Sequence, residues 1–264
     1  MAGCHFFRQL LRSPWPELLL ARDAPIHFCL GHIYAKISAM LNRVNVIQND
    51  PEVSVGVFGE LLATWQVPFC LCRADLGAPC PTGSGASIVL GGRMGVHDEA
   101  KHPLLLRVKE YVQRMLAEGT PLFGVCLGGQ LLAQVAGGEV RSNCRSEKGL
   151  VDISLTCAGA ADPLFAGINR RFRAFQWHND SFTVPPGASR LASSVVCPGQ
   201  AFRVGNAWGV QFHPEVDGAI LAAWSKHSQT REQLLADFAD VEQAHRALAR
   251  QLLLNFLKSA GSIG

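Results

Sequence analysis

One cysteine lies where a short apolar strand is predicted to turn sharply into a helix. A run of apolar residues precedes Cys126, and leucines follow it at helical spacing. Gly124 and Gly128 flank it in a G-x-C-x-G pattern, which is the nucleophile-elbow pattern with sulfur in place of a serine oxygen. A helix N-terminus favours the reactive thiolate form of a cysteine. Cys126 is therefore a candidate nucleophile, although a free cysteine is also a common core residue.

A second segment, residues 209–215, supplies a histidine and a glutamate at the end of a predicted strand. A cysteine nucleophile needs a base that takes its proton and later passes it to a leaving amine. That base needs an acceptor that fixes its tautomer and orientation. In an extended segment His213 and Glu215 point to the same side, so the carboxylate can hold one ring nitrogen while the other faces the sulfur. We therefore predict a catalytic triad of Cys126, His213 and Glu215.

Two glycines, Gly91 and Gly92, follow another predicted strand. A backbone N–H at Gly92, together with that of Leu127 just after the nucleophile, is predicted to form an oxyanion hole for a tetrahedral intermediate. Each feature alone has an ordinary structural explanation as a core histidine, a surface charge or a turn. Their joint occurrence, in the order that one sheet would bring together, favours a catalytic site.

The segments that must position these groups alternate between strands and helices from residue 44 onward. Before the elbow they are strands 44–48, 69–72 and 87–90 and helices 57–65 and 104–118. This alternation predicts an α/β fold with a doubly wound, mostly parallel central sheet and helices on both faces. After the elbow helix the chain is rich in short strands. A last helix is predicted over 230–258, with Thr230 and Gln233 as its capping box.

The composition of the chain limits the class of protein. An apolar fraction of 48% and a charged fraction of 17% are ordinary for a soluble globular domain. The net charge of +3 gives no argument for a nucleic-acid or membrane partner. Nine cysteines without a C-x-x-C pair disfavour a zinc site and a disulfide framework, and free thiols fit a reducing compartment. We therefore predict a cytoplasmic protein without a bound metal.

The first 43 residues are unlike the rest, and three interpretations compete. Their arginines fit a transit peptide, but Glu17 and Asp23 weaken that interpretation. A secretory signal is disfavoured by the short apolar core and the free cysteines. We favour the third, an upstream extension of the coding frame before Met40. The predicted organisation is a poorly ordered extension over 1–43 and one domain over 44–264.

The two main motifs resemble those of the class I, triad-type glutamine amidotransferases. Residues 124–130 match that family's G-x-C-x-G-x-Q elbow, and residues 209–215 match its G-x-Q-F-H-P-E segment in full. The resemblance is greatest to stand-alone proteins similar to the glutaminase domain of GMP synthetase. That similarity is carried by segments 48–51, 90–94, 176–180 and 197–202.

This resemblance implies hydrolysis of the γ-amide of glutamine, or of a related γ-glutamyl compound, through a γ-glutamyl thioester on Cys126. It implies that Gln130 contacts the bound glutamine. It further implies that the loop with His178, Asn179 and Asp180 holds the amino-acid end of the substrate. No cofactor is implied.

Two features separate this chain from most of the family. Residues 226–264 leave room for only one or two helices, so any synthetase partner is expected to be a separate subunit. Arg93 stands where similar proteins often carry proline. The main alternative is therefore a non-catalytic or partner-dependent glutaminase subunit that delivers ammonia to a separate synthetase. An esterase of the α/β-hydrolase type is disfavoured, because its acid precedes the histidine in sequence whereas Glu215 follows His213.

Overall fold

The structure is a computed structural model that describes residues 43–83 and 85–263. The predicted extension over 1–43 lies outside the described residues except for Arg43. That extension and the predicted domain boundary therefore stay predictions. Among the helices of the described residues, none is both long and apolar enough to span a membrane.

Strands and helices alternate in the first part of the described chain and strands dominate the middle. The strands are β1 (Val44–Gln48), β2 (Phe69–Arg73), β3 (Ser87–Val89), β4 (Leu122–Val125), β5 (Val140–Arg141), β6 (Glu147–Leu155), β7 (Arg171–His178), β8 (Ser181–Phe182), β9 (Ser189–Ser193), β10 (Ala201–Val204) and β11 (Ala207–Val210). The α-helices are α1 (Gly56–Thr64), α2 (Leu104–Ala117), α3 (Leu127–Val135), α4 (Cys157–Ala161), α5 (Gly218–Trp224) and α6 (Arg231–Ser259).

Nine of these strands form one sheet in the order β2-β1-β3-β4-β11-β10-β9-β6-β7. The first five run parallel to one another, and we call them the parallel half. The other four, β10, β9, β6 and β7, pair antiparallel and are called the antiparallel half. The predicted α/β class is confirmed. The strand-rich second part of the sequence becomes the antiparallel extension of the parallel half.

The sheet separates the two larger of three hydrophobic clusters that the described residues form, one on each face. Val46 and Ile47 are neighbours in β1, yet they belong to different cores, because successive side chains of a strand point to opposite faces. Helices α1 and α6 contribute buried residues to the core that contains Val46, and α2 and α3 to the core that contains Ile47. Because helices cover both faces of the sheet, a site can form only at the ends of the strands.

The start of α6 differs from its predicted capping. The Thr230 side chain makes no capping hydrogen bond, and its hydroxyl lies 3.1 Å from the Ser228 hydroxyl. Gln233 instead donates to Asp237 one turn further along the helix, at 2.6 Å. The predicted capping box is therefore wrong, because both side chains find partners outside the Thr230–Gln233 pair.

Candidate active site

The turn between β4 and α3 holds Cys126 in a strained backbone conformation. Its φ is +49° and its ψ is −108°, a combination that side chains rarely adopt. A Cβ atom at Gly128 would lie 2.0 Å from the carbonyl oxygen of Val89, so only glycine lets α3 begin this close to β3. The sulfur-bearing residue is 5% exposed. The backbone thus presents Cys126 at the end of the strand, as the elbow motif predicts.

Sheet register brings the histidine segment to the same edge. Strands β4 and β11 are parallel neighbours, and Val125 pairs with Val210. The Cys126 N–H donates to the Val210 carbonyl at 2.8 Å, which continues the pairing beyond both strands. The His213 N–H donates to the Phe175 carbonyl at 2.8 Å. The chain after β11 is therefore held between β4 and the antiparallel half, where it passes the elbow.

The loop after β3 closes the space between sulfur and imidazole. A Cβ atom at Gly91 would lie 3.1 Å from Cε1 of His213 and 3.6 Å from Cβ of Cys126. Gly91 therefore lies against both side chains, with little room for a side chain of its own. Cys126 and His213 both line one cavity of about 290 Å³, a volume near the lower end for small-molecule sites.

His213 and Glu215 form a buried pair. Nδ1 of His213 lies 2.8 Å from Oε1 of Glu215, and the two side chains are 2% and 0% exposed. Burial by itself would lower the pKa of His213. The negative charges of the Cys126 thiolate and the Glu215 carboxylate outweigh burial and raise that pKa to about 10. The arrangement therefore favours the protonated form of His213.

The two residues that carry the predicted oxyanion donors, Gly92 and Leu127, are packed against each other. A Cβ atom at Gly92 would be 2.8 Å from Cδ2 of Leu127. Neither backbone N–H donates to another residue in the part of the chain that the structure describes. The Asn49 side chain anchors the loop by donating to the Leu90 carbonyl at 2.7 Å. Free amide donors at this position are what an oxyanion hole requires.

On one side of the sulfur, a chain of amide groups leads to the loop after β7. Nε2 of Gln211 lies 3.6 Å from Sγ of Cys126. Oε1 of Gln211 accepts from Gln130 at 3.3 Å, and Gln130 also donates to the Asp180 carbonyl at 3.1 Å. This loop is the one predicted to hold the amino-acid end of the substrate.

The buried carboxylate of Glu147 holds that loop in place through its contacts with His178 and Ser194. Nε2 of His178 lies 3.3 Å from Oε2 of Glu147, and its Nδ1 lies 2.9 Å from the Asp180 carbonyl. Ser194 donates to the other Glu147 oxygen at 2.6 Å. The Ser146 hydroxyl lies 3.2 Å from Oδ1 of Asn179. His178 therefore supports the loop through polar contacts on both ring nitrogens.

Seven of the nine predicted site residues line the cavity. They are Gly92, Cys126, Gln130, His178, Asn179, Asp180 and His213. The other two lie directly behind it: Leu127 begins α3, and Glu215 contacts the ring of His213. The described residues contain no group of three or more histidine, cysteine, aspartate or glutamate side chains arranged to hold a metal ion.

Sequence reasoning missed four residues around the site. Gln211 was detectable, because it stands two residues before His213 in the segment 209–215. Glu147 begins an E-x-G segment, residues 147–149, which the sequence indicates only as a structural turn. Trp224 lines the cavity and His245 lies behind Glu215. No sequence pattern distinguishes those last two, since only the packing of α5 and α6 brings them there.

The fold and this geometry define a class of protein: an α/β protein with a cysteine on a strand–helix elbow and a histidine, paired with a carboxylate, in the same cavity wall. The family model described as "Glutamine amidotransferase class-I" matches residues 86–221. The chain belongs to this family.

Curated relatives carry two kinds of name. A "Gamma-glutamyl-L-1-hydroxyisopropylamide hydrolase" from Pseudomonas sp is 31% identical over 172 residues, which are 59% of this chain and 58% of that protein. The glutamine-hydrolyzing GMP synthase subunit from Pyrococcus abyssi is 35% identical over 122 residues, which are 45% of this chain and 58% of that protein. The chain therefore spans 58% of the length of each of these relatives.

Solved structures agree with the fold. A glutamine amidotransferase from Thermotoga maritima superposes with a TM-score of 0.74 at 28% identity, covering 82% of this chain and 98% of that one. A glutamine amido transferase from Methylobacillus Flagellatus also gives a TM-score of 0.74, at 26% identity, covering 83% of this chain and 95% of that one.

Proposed function

We propose that this chain hydrolyses the γ-amide of glutamine, or of a related γ-glutamyl compound, through a γ-glutamyl thioester on Cys126. The observation that carries the proposal is a cysteine on a strained elbow that shares one cavity with the buried His213–Glu215 pair. Membership of the glutamine amidotransferase class-I family supports the same chemistry. The residue roles below belong to this proposal.

In the first half of the reaction, the Cys126 thiolate attacks the γ-carbonyl carbon and forms a C–S bond. The carbonyl oxygen becomes an oxyanion, which the N–H groups of Gly92 and Leu127 stabilise. Losing one such donor costs about 2.7–4 kcal/mol of barrier in known enzymes. His213 gives its proton to the amide nitrogen, the C–N bond breaks, and the amine leaves.

In the second half, His213 takes a proton from water and the resulting hydroxide attacks the thioester carbon. The C–S bond breaks, glutamate leaves, and the proton on His213 restores the imidazolium–thiolate pair. Glu215 keeps the ring oriented in both halves by holding Nδ1 at 2.8 Å. Gln130, Asn179 and Asp180 hold the amino-acid end of the γ-glutamyl group, and His178 supports the loop after β7 from within the protein.

The direct test is covalent labelling with a glutamine-like alkylating analogue, read by mass spectrometry. We expect one adduct on Cys126 and none in Cys126→Ser. Cys157→Ser is the matched control, because Cys157 is exposed and does not line the cavity, and it should label like the parent chain. Release of glutamate and amine from γ-glutamyl amides should follow the same pattern. Labelling that persists in Cys126→Ser contradicts the proposal.

A second candidate function is favoured by the relatives that are named as subunits of GMP synthase. In that case the chain is a partner-dependent glutaminase that passes ammonia to a separate synthetase. Co-purification of a stoichiometric synthetase, with no amide hydrolysis by the isolated chain, supports this candidate. Full hydrolysis by the isolated chain, unchanged by any partner, argues against it.

A further inference from the structure

We propose that Trp224 forms a subsite for the leaving amine and selects γ-glutamyl amides whose nitrogen carries a neutral alkyl group over glutamine itself. The inference rests on the proposed function and names its substrate class. The sulfur of Cys126 lies between two connected sets of side chains, one toward the amino-acid end and one toward Trp224.

The first set fixes where the γ-glutamyl group lies. From Sγ of Cys126, hydrogen-bond contacts lead through Gln211 to Gln130, at 3.6 and 3.3 Å. They continue from Gln130 to the Asp180 carbonyl at 3.1 Å. The amino-acid end of the substrate occupies this side of the sulfur in the proposed function. The amide nitrogen must then point the other way, toward His213.

The second set fixes what the departing amine meets. The rings of His213 and Trp224 have their centroids 4.8 Å apart, in an edge-to-face arrangement at 73°. Because His213 donates the proton that lets the amine leave, the amine departs beside this indole. Trp224 also lines the cavity and is only partly buried. Part of its apolar surface is therefore available to a substituent on the nitrogen.

The indole is held rigidly in this position. Its Nε1–H donates to the Glu52 carbonyl at 2.8 Å, which ties α5 to the loop after β1. The ring of Trp177, which also lines the cavity, lies 6.2 Å from it between centroids. These two aromatic side chains form an apolar surface on the side where the amine leaves. An alkyl group on the nitrogen would bury part of this surface, whereas ammonia is too small and polar to do so.

The pairing of Arg93, the arginine that lines the cavity, favours a neutral substituent over an acidic one. The Arg93 guanidinium contacts Asp50 at 2.9 Å and Glu52 at 3.2 Å. Arg93 is thus already paired with two carboxylates and is not free to hold a further one on the leaving amine. An alkylamine avoids that requirement, whereas the amine of a γ-glutamyl amino acid would bring a carboxylate of its own.

The experiment measures selectivity, defined as kcat/KM for γ-glutamyl-isopropylamide divided by kcat/KM for glutamine. An effect of the substitution on the ring of His213 acts on both substrates, so the ratio is more sensitive to the contact with the nitrogen substituent than either rate alone. We expect Trp224→Ala to lower the ratio about tenfold or more, the usual range for losing an apolar pocket contact. Trp224→Phe keeps an aromatic wall and should retain most of the selectivity. Trp65→Ala removes an indole that does not line the cavity and should leave the ratio unchanged.

A binding measurement separates this inference from the proposed reaction. Calorimetric titration of both compounds into Cys126→Ala, with and without Trp224→Ala, reports selectivity without turnover. If the parent chain hydrolyses neither compound but Trp224→Ala still removes a binding preference for the alkylamide, the proposed function fails and the subsite stands. An equal change for both compounds, in turnover or in binding, overturns the subsite.

Discussion

The parallel and antiparallel halves of the sheet contribute different kinds of residue to one cavity. The parallel half ends in Cys126, in the Gly91–Gly92 loop and in the segment that carries His213. The antiparallel half supplies Trp177 and the loop after β7. In the proposed function, the first half performs the chemistry and the second half holds the substrate.

The two halves also fix their residues by different means. In the parallel half, backbone geometry positions the groups: a strained φ at Cys126 and glycines that admit no Cβ atom. In the antiparallel half, a network of buried side chains centred on Glu147 positions the loop. Substitutions in the parallel half should therefore lower kcat, and those in the antiparallel half should raise KM.

The largest effect is expected from removing the sulfur. Cys126→Ala should lower the rate of glutamate release by about 10⁴-fold or more, as loss of the nucleophile does in enzymes whose catalytic residues act as a unit. Steady-state kinetics at saturating substrate checks this prediction. Cys157→Ala, at an exposed cysteine, should change neither rate nor stability. A rate in Cys126→Ala within tenfold of the parent, on the order of a single lost contact, would assign the chemistry elsewhere.

Glu215→Gln should lower kcat by about 10²- to 10⁴-fold, the usual contribution of acid–base catalysis. It should also shift the pH–rate profile. The carboxylate is one of the charges that raise the pKa of His213 to about 10, and the ring must be protonated to release the amine. Removing the charge lowers that pKa, so the alkaline fall in rate should move to lower pH. An alkaline limb in the same place would contradict the pairing of these residues.

The antiparallel half is tested at Glu147. Glu147→Gln weakens charged contacts with His178 and Ser194, so KM should rise about tenfold, the effect of losing one hydrogen bond to a charged group, with little change in kcat. Glu139→Gln is the matched control, because the exposed Glu139 carboxylate contacts only the side chain of Arg141 among the described residues. A fall in kcat without a rise in KM would show that the two halves are not separate in function.

His245, which α6 places behind Glu215, is expected to affect catalysis least and to affect the pH dependence of stability instead. Burial lowers the pKa of His245 to about 4, so the folded protein keeps this ring neutral at a pH where the unfolded chain, with a pKa of about 6.5, binds a proton. The free energy of unfolding should therefore fall as pH falls from about 6.5 to about 4, by about 3 kcal/mol. Urea denaturation at several pH values measures this slope.

The matched variant is His245→Phe, which keeps an aromatic ring against Phe238, whose ring centroid lies 5.1 Å away. It should remove most of the acid-side slope. His213 acts in the opposite sense: its raised pKa contributes stability that is full below about 6.5 and is lost as pH rises toward about 10. An acid-side slope that survives in His245→Phe would assign it to other groups.

Local sequence patterns predicted most of the parallel half. The elbow, the two-residue spacing of His213 and Glu215 and the α/β class depend on periodicity and glycine positions, which act within a few residues. The antiparallel half was anticipated only as a series of short strands. Its pairing order depends on contacts between residues far apart in the chain, such as Ser154 with Ser193.

The sequence by itself determined that a cysteine follows a strand and precedes a helix, and that a histidine and a glutamate lie two residues apart just after another strand. These are short-range consequences of backbone sterics and side-chain periodicity. Only the tertiary structure decided that Glu147 supports His178 and that Trp224 contacts the ring of His213. Those contacts join elements that no local pattern relates, because they arise when α5 and β6 pack around the same strand ends.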